Sequence, residues 1–240
     1  MKILALELST ARGSITWQEW SARAPATARS PRRVRPAADE GARTPAGRQC
    51  APQNEDVDRV KEWPNDRKNS GAFFEHLASV RQKFGLPDTI IVGLGPGSYA
   101  GTRIAISVAI GLQAASNAKL IGFPSICAME CEANEYCVIG DARRQTFFFA
   151  RIRANNLIEG PTLFAEAELR AKLDRLEKNM PIFASDKLAQ FERAAIGYPS
   201  ARVLARLAQD SDRNFVLAPL EPIYLREPHI TVPKRETTVR

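Results

Sequence analysis

The chain has 240 residues, 44% of them hydrophobic and 25% charged, with 34 Lys and Arg against 27 Asp and Glu for a net charge of +7. This is ordinary globular usage at a length for one large domain or two lobes, and no run approaches the ~18 apolar residues a membrane span needs. Four cysteines, Cys50, Cys127, Cys131 and Cys137, are too sparse for a disulfide framework. The N-terminus offers one Lys and then a short strand-like run, not a secretory h-region, so a reducing, cytoplasmic setting is expected.

Taken in chain order, Lys2–Leu8 is an apolar run of strand length, and Gly13–Trp17 pairs with it through the turn at Ser9–Arg12. Between Gln18 and Glu62 the composition changes: Val34, Val57 and Val60 are the only aliphatic side chains larger than Ala, while Ala, Arg and Pro dominate. Residues 21–50 hold seven Arg against Asp39 and Glu40, a balance of +5 that leaves +2 for the other 210 residues. The basicity is therefore local and the rest of the chain nearly neutral. Such a stretch buries too little apolar surface to offset the entropy of ordering. Three readings of 18–62 stand: a solvated linker, a basic arm for RNA phosphates, or the Arg/Ala/Pro/Gly bias of a GC-rich coding region read out of frame. Trp20 is its only aromatic, so the stacking residues of a single-strand binder are missing.

Asn69-Ser70-Gly71 opens a helix whose Phe73, Phe74, Leu77, Val80 and Phe84 form one face, ended by Gly85 and Pro87. Thr89–Leu94 is a fully apolar strand of the buried parallel kind. Arg103–Ala115 alternates Ile104, Ile106, Val108, Ile110 and Leu112, yet its length and interleaved Ala and Gly predict a helix apolar on nearly all sides, buried at a lobe or subunit interface. Beyond it the spacing predicts strands at Leu120–Phe123, Tyr136–Ile139, Thr146–Ile152 and Pro181–Ala184. Helices are expected at Ser125–Glu132, Ala165–Lys178 and Ser200–Gln209. Alternating strands and helices in each half predict two α/β lobes, 1–115 and 116–240.

The most informative motif is Gly95-Pro96-Gly97-Ser98-Tyr99-Ala100-Gly101-Thr102-Arg103, which joins the buried strand to the apolar helix. Its glycines allow close backbone approach, and Ser98 is placed to cap the helix beside free N–H groups that suit an anion. It lacks the Lys-Ser/Thr ending of a Walker A loop and the third Gly of the dinucleotide fingerprint. A tight structural turn and a phosphate cradle both remain open readings.

This motif, with Ile3-Leu4-Ala5-Leu6-Glu7-Leu8-Ser9-Thr10 before it and Gly140-Asp141-Ala142-Arg143-Arg144 and Pro222-Ile223-Tyr224-Leu225-Arg226 after it, resembles the TsaB (YeaZ) family. That family supplies the dimerisation subunit of the bacterial tRNA threonylcarbamoyladenosine synthase complex. The resemblance covers roughly 1–17 and 63–230. It implies a two-lobed actin/hexokinase/Hsp70-like α/β fold and a non-catalytic scaffold for the catalytic paralogue TsaD, which places threonylcarbamoyl on N6 of adenosine 37 in tRNA. It also implies the ATPase subunit TsaE as a partner, a homodimer when the chain is alone, and tRNA contact through the complex. No cofactor of its own is implied, with ATP or ADP placed at the subunit interface. The helix after Gly101 and the one at Gly71–Lys83 would form the contact, through Phe73, Leu77, Gly101, Arg103, Ile104, Val108 and Ala109. Glu7, Ser9, Thr10, Gly95, Gly97 and Ser98 are the corresponding nucleotide or phosphate positions.

Two departures stand out. Glu7 occupies the place where the family usually carries Asp, an acid that in catalytic relatives organises metal and phosphate. The strands expected next in the first lobe are replaced by the Arg/Ala/Pro segment. The rival function is an ATPase or sugar-kinase-like enzyme of the same superfold. No catalytic set is assembled from the two histidines: His76 reads as a polar-face helix residue and His229 lies in a Pro-flanked terminal stretch. Cys127 and Cys131, four apart, read as buried apolar cysteines and not as half a zinc site. Asp141 with Arg143 and Arg144 reads equally as a salt-bridged hairpin turn or as a grip for phosphate or a partner carboxylate.

Overall fold

The computed structural model describes residues 1–20, 59–65 and 71–226. Its first half opens with β1 (Lys2–Glu7), β2 (Arg12–Glu19), β3 (Val60–Pro64), α1 (Gly71–Phe84), β4 (Thr89–Gly93), α2 (Tyr99–Ser116) and β5 (Lys119–Phe123). A single 3-10 turn, Ser125–Ala128, leads to β6 (Glu135–Asp141), β7 (Thr146–Arg153), β8 (Asn156–Ala165), α3 (Glu166–Asp174), β9 (Ile182–Ala184), β10 (Ala195–Ile196), α4 (Ala201–Leu207) and β11 (Val216–Leu217). These strands form a six-stranded sheet, β11-β5-β4-β1-β2-β3, and a five-stranded sheet, β10-β9-β6-β7-β8. β5 and β11 come from beyond residue 115 and complete the first sheet.

The first sheet is covered on both faces, which is why β1 and β4 read as unbroken apolar runs. Strand period two sends Leu4, Leu6, Ile90, Val92 and Leu120 to one face, where α1 and α2 pack. Ile3, Ala5, Ile91, Ile121 and Phe123 point the other way, onto α4, the 3-10 turn and the inner face of the second sheet at Val138, Phe148, Ala150 and Ile152. The second sheet's outer face, with Ile139, Phe147 and Phe149, is covered by Leu169 and Leu173 of α3. Two sheets around a shared central layer form a two-lobed fold of the actin/hexokinase/Hsp70 type.

The ends of the Arg/Ala/Pro segment correct the sequence reading. Gln18 and Glu19 belong to β2, and Val60–Pro64 pairs antiparallel with β2, from Thr16 opposite Val60 to Arg12 opposite Pro64. The lobe therefore keeps its second and third strands. Trp63, just past the segment, anchors β3: it is buried, and its ring lies 6.2 Å from Phe73 and 4.9 Å from His76. Gly13 sits opposite it because a Cβ there would meet the Trp63 ring at 2.6 Å. The readings of 21–58 as linker, arm or artefact lie outside the described residues.

Other differences are local. The helix expected at Ser125–Glu132 is one 3-10 turn, because Met129 is extended and bridges Pro199. The helix expected from Ala165 to Lys178 spans only Glu166–Asp174. Before it runs β8, ten residues paired with β7, seven of them exposed and none fully buried, that carry no alternation to announce a strand.

Candidate functional site

Two features meet at the N-terminal end of α2. One is a cavity of about 690 Å³ between the sheets, lined from one side by Ser9, Thr10, Gly97 and Ser98 and from the other by Asp141, Arg143 and Asp186. The other is the outward face of α2 itself.

The turn before α2 is set by close packing. Ser98 caps the helix, its Oγ accepting from Gly101 N at 3.3 Å, while Ser98 N donates to Ser9 O at 2.5 Å. Gly97 and Gly101 are required here: a Cβ on either would strike the carbonyl oxygen of Ser9 or Leu8 at 2.0 or 2.1 Å. The turn thus presses against the β1–β2 turn, the tight structural turn of the sequence reading, and it also walls the cavity. Gly95, with φ 88°, does not line the cavity; its N–H donates to Ser125 Oγ at 2.9 Å.

Glu7 is not where a phosphate- or metal-organising acid would serve. It is fully buried, its Oε1 accepts from Ser9 N at 2.7 Å, and Oε2 has no hydrogen-bond partner among the described residues. Gly93 of the neighbouring strand makes room for it, since a Cβ there would lie 1.7 Å from Oε2. Burial pushes the carboxyl above its usual range, opposed by the Ser9 and Ser125 hydroxyls and the Ser9 N–H. A sealed carboxylate does not fit metal or phosphate chemistry, so the assignment of Glu7 to a nucleotide site is corrected. Ser9, Thr10, Gly97 and Ser98 do line the cavity.

Across the cavity, Asp141 holds the β6–β7 hairpin: Oδ1 accepts from Arg143 N at 2.6 Å and Oδ2 from Arg143 Nη1 at 3.1 Å. Arg143, Arg144 and Gln145 all have positive φ, so this ion pair and Thr146 Oγ1, donating to Arg143 O at 2.9 Å, hold a costly backbone in place. The salt-bridged hairpin is what the geometry shows. The chain from Pro222 to Arg226 closes the cavity: Ile223 N donates to Leu94 O at 2.8 Å, and Arg226 Nη2 donates to Thr146 Oγ1.

On α2 the structure divides the predicted contact residues. Ala109 is buried against the first sheet, as are Phe73 and Leu77 of α1, and Gly101 is buried against the Leu8 carbonyl, so all four are covered within the chain itself. Helical periodicity could separate them from the outer set only once the sheet's side was known. Arg103 is exposed, Ile104 and Val108 are half-buried, and Ile110 is 48% exposed. Phe74, on the α1 face that the sequence reads as leaning outward, is 48% exposed, and sequence reasoning passed over Ile110 and Tyr99 (47% exposed) as outward-facing apolar groups. Arg103 is the only charged residue in the eighteen of α2.

No group of three or more potential metal ligands occurs among the described residues. Burial pushes the Cys127 thiol up to about 12 and Cys137 up to about 11. His76 lies against Trp63; Cys50 and His229 lie outside the described residues. Among the described residues no helix is long and apolar enough to cross a membrane.

Among the solved structures that share this architecture are the following two. One is described as an uncharacterized protein with similarity to peptidase YEAZ from Pseudomonas aeruginosa (TM-score 0.63, 18% identity, 94% of this chain and 99% of that one). The other is YeaZ from Pseudomonas aeruginosa (TM-score 0.63, 17% identity, 93% of this chain and 100% of that one). No curated protein matches. The family model described as TsaD, tRNA N6-adenosine threonylcarbamoyltransferase, matches residues 71–224. With more than half of its length matched, from α1 through the cavity-closing Tyr224, the chain belongs to the TsaD family.

Proposed function

We propose that this chain is a TsaB-type, non-catalytic subunit that pairs with a catalytic paralogue to place threonylcarbamoyl on N6 of adenosine 37 in tRNA. The observation that carries this reading is the outer face of α2. Tyr99, Arg103, Ser107, Ile110 and Ala114 form one exposed stripe at helical spacing, beside Ile104, Val108 and Gly111. A solvated helix face is ordinarily rich in charge, and this one has a single cation. Gly111 adds a second sign. It sits mid-helix and exposed, with nothing among the described residues beyond its own turn of helix within 4 Å of an added Cβ, although Gly there costs about 0.8–1 kcal/mol relative to Ala. Close approach of another backbone is a physical reason to keep it.

The kinase-like rival draws on the first-turn acid, and Glu7 is buried outside the cavity, whose acids are Asp141, paired with Arg143, and Asp186. The test is Ile110→Arg, which leaves the core of the chain untouched and places an unpaired charge in the contact. The folded variant is expected to lose co-purification with the paralogue and to lower adenosine-37 modification in cells. Normal pairing by this variant contradicts the proposal. Ala109→Arg or Leu77→Arg would not test it, because both side chains are buried in the chain's own core and the fold itself would fail.

A further inference from the structure

The single cation of the α2 face is held in a defined pose. Arg103 Nε donates to Tyr224 Oη at 2.8 Å, and the guanidinium carbon lies 4.0 Å above the centre of the Tyr99 ring and 5.7 Å from that of Tyr224. The two rings pack 5.4 Å apart. One tyrosine opens α2 and the other comes from the segment that closes the cavity, so Tyr224, 121 positions beyond Arg103 in sequence, completes the arginine's seat. Both rings remain 40–47% exposed, and Arg103 forms no ion pair with a described residue. Stacking and the Nε bond fix the guanidinium plane and leave its terminal Nη1/Nη2 edge as the pair of donors that matches a carboxylate. Tyrosine and arginine are also the residues that most often dominate interface energetics.

We propose that Arg103, seated on Tyr99 and Tyr224, is the specificity point of the α2 face and receives a carboxylate from the protein partner that covers the apolar stripe. The inference rests on the pairing reading above and specifies the partner's chemistry: an apolar, small-residue surface bearing one Asp or Glu opposite the start of α2. Charge complementarity favours this occupant over RNA. A phosphate backbone is tracked by several cations, whereas Arg103 is the only one on α2. It also explains why the cation is kept at all. An arginine on an otherwise apolar contact penalises partners that leave it buried and unpaired, so it rejects wrong partners as well as holding the right one.

The experiment measures the affinity of the full chain for the purified paralogue at low and high NaCl, comparing wild type with Arg103→Gln, Arg103→Lys, Tyr224→Phe and Ile110→Arg. Circular dichroism checks each fold. Arg103→Gln is expected to bind at least tenfold more weakly at low salt and to lose most of the salt dependence. Arg103→Lys should fall between, because it keeps the charge and loses the planar fork. Tyr224→Phe, which keeps the ring and removes the Nε acceptor, should lose less than Arg103→Gln. Arg103→Gln within twofold of wild type overturns the proposal, and so does a weakened variant with the wild-type salt dependence, because the arginine would then act by packing alone. If Arg103→Gln dissolves only a self-associated form of the chain and leaves paralogue binding intact, the carboxylate belongs to a second copy and the proposal is wrong. Failure of the pairing reading looks different: wild type does not bind the paralogue, or Ile110→Arg binds as wild type does.

Discussion

Replacing Gly111 by Ala separates what this chain needs in order to fold from what it needs in order to pair. Gly111 lies thirteen positions into the eighteen-residue α2, exposed, and an added Cβ finds no heavy atom of the described structure within 4 Å. Helix propensity then acts alone, and Ala is better than Gly by about 0.8–1 kcal/mol. For a chain of this size that raises the midpoint of thermal unfolding by roughly 2–4 °C. In the complex the sign reverses. If another backbone lies against this position, the extra methyl overpacks the contact, at a cost of about 1–3 kcal/mol. That weakens association roughly 5- to 150-fold. The two halves are read by differential scanning calorimetry of the isolated chain and by titration calorimetry against the paralogue. A variant that melts higher and binds as tightly as wild type would show that nothing packs against Gly111 and refute the reasoning. A variant that melts lower would show that the chain itself requires the glycine.

Three more outcomes are expected. Glu7→Gln should stabilise the chain near pH 7: the folded-state pKa of Glu7 is raised, so the stability that its protonated form provides is full below the unfolded value near 4.5 and is lost as pH rises through the folded value. Melts across pH 4–8 should show the gap between variant and wild type opening as pH rises, and a constant gap would contradict the sealed carboxylate. Trp63→Ala should cost about 3–5 kcal/mol in urea unfolding, because Trp63 fastens β3 to the Phe73 face of α1; a loss under 1 kcal/mol would mean β3 is not part of the cooperative fold. Alkylation of the native chain at pH 8 should spare Cys127 and Cys137, whose thiols burial holds at about 12 and 11, until denaturant is added. Rapid labelling of either residue in peptide maps would contradict that packing.

How much could be read in advance follows from where the periodicity is strong. β1, β4, α1 and α2 are legible because burial on both faces of the first sheet leaves unbroken apolar runs, while Phe73, Leu77 and Val80 mark a helical face. β8 is not legible, being an exposed edge strand whose pairing is set by β7. β3 hid at the end of a stretch poor in aliphatics, where Val60 and Trp63 are its only large apolar side chains. The motif at 95–103 was visible, but its meaning was not. Whether Glu7 faces the cavity depends on Gly93, on the neighbouring strand, leaving space for its side chain. The contact residues were half legible: sequence places Ile104, Val108 and Ala109 on one helix without saying which side the sheet takes, and the sheet takes Ala109.

The most direct measurement of the central claim is adenosine-37 modification reconstituted from purified components. The paralogue, this chain, tRNA and the activated threonylcarbamoyl donor are combined, and modified adenosine is quantified by mass spectrometry of digested tRNA. The account predicts product only when both proteins are present, none or nearly none with Ile110→Arg in place of wild type, and normal product with a folded Glu7→Gln. Full modification with the Ile110→Arg chain, or its loss with Glu7→Gln alone, would contradict a pairing subunit and return the function to the cleft.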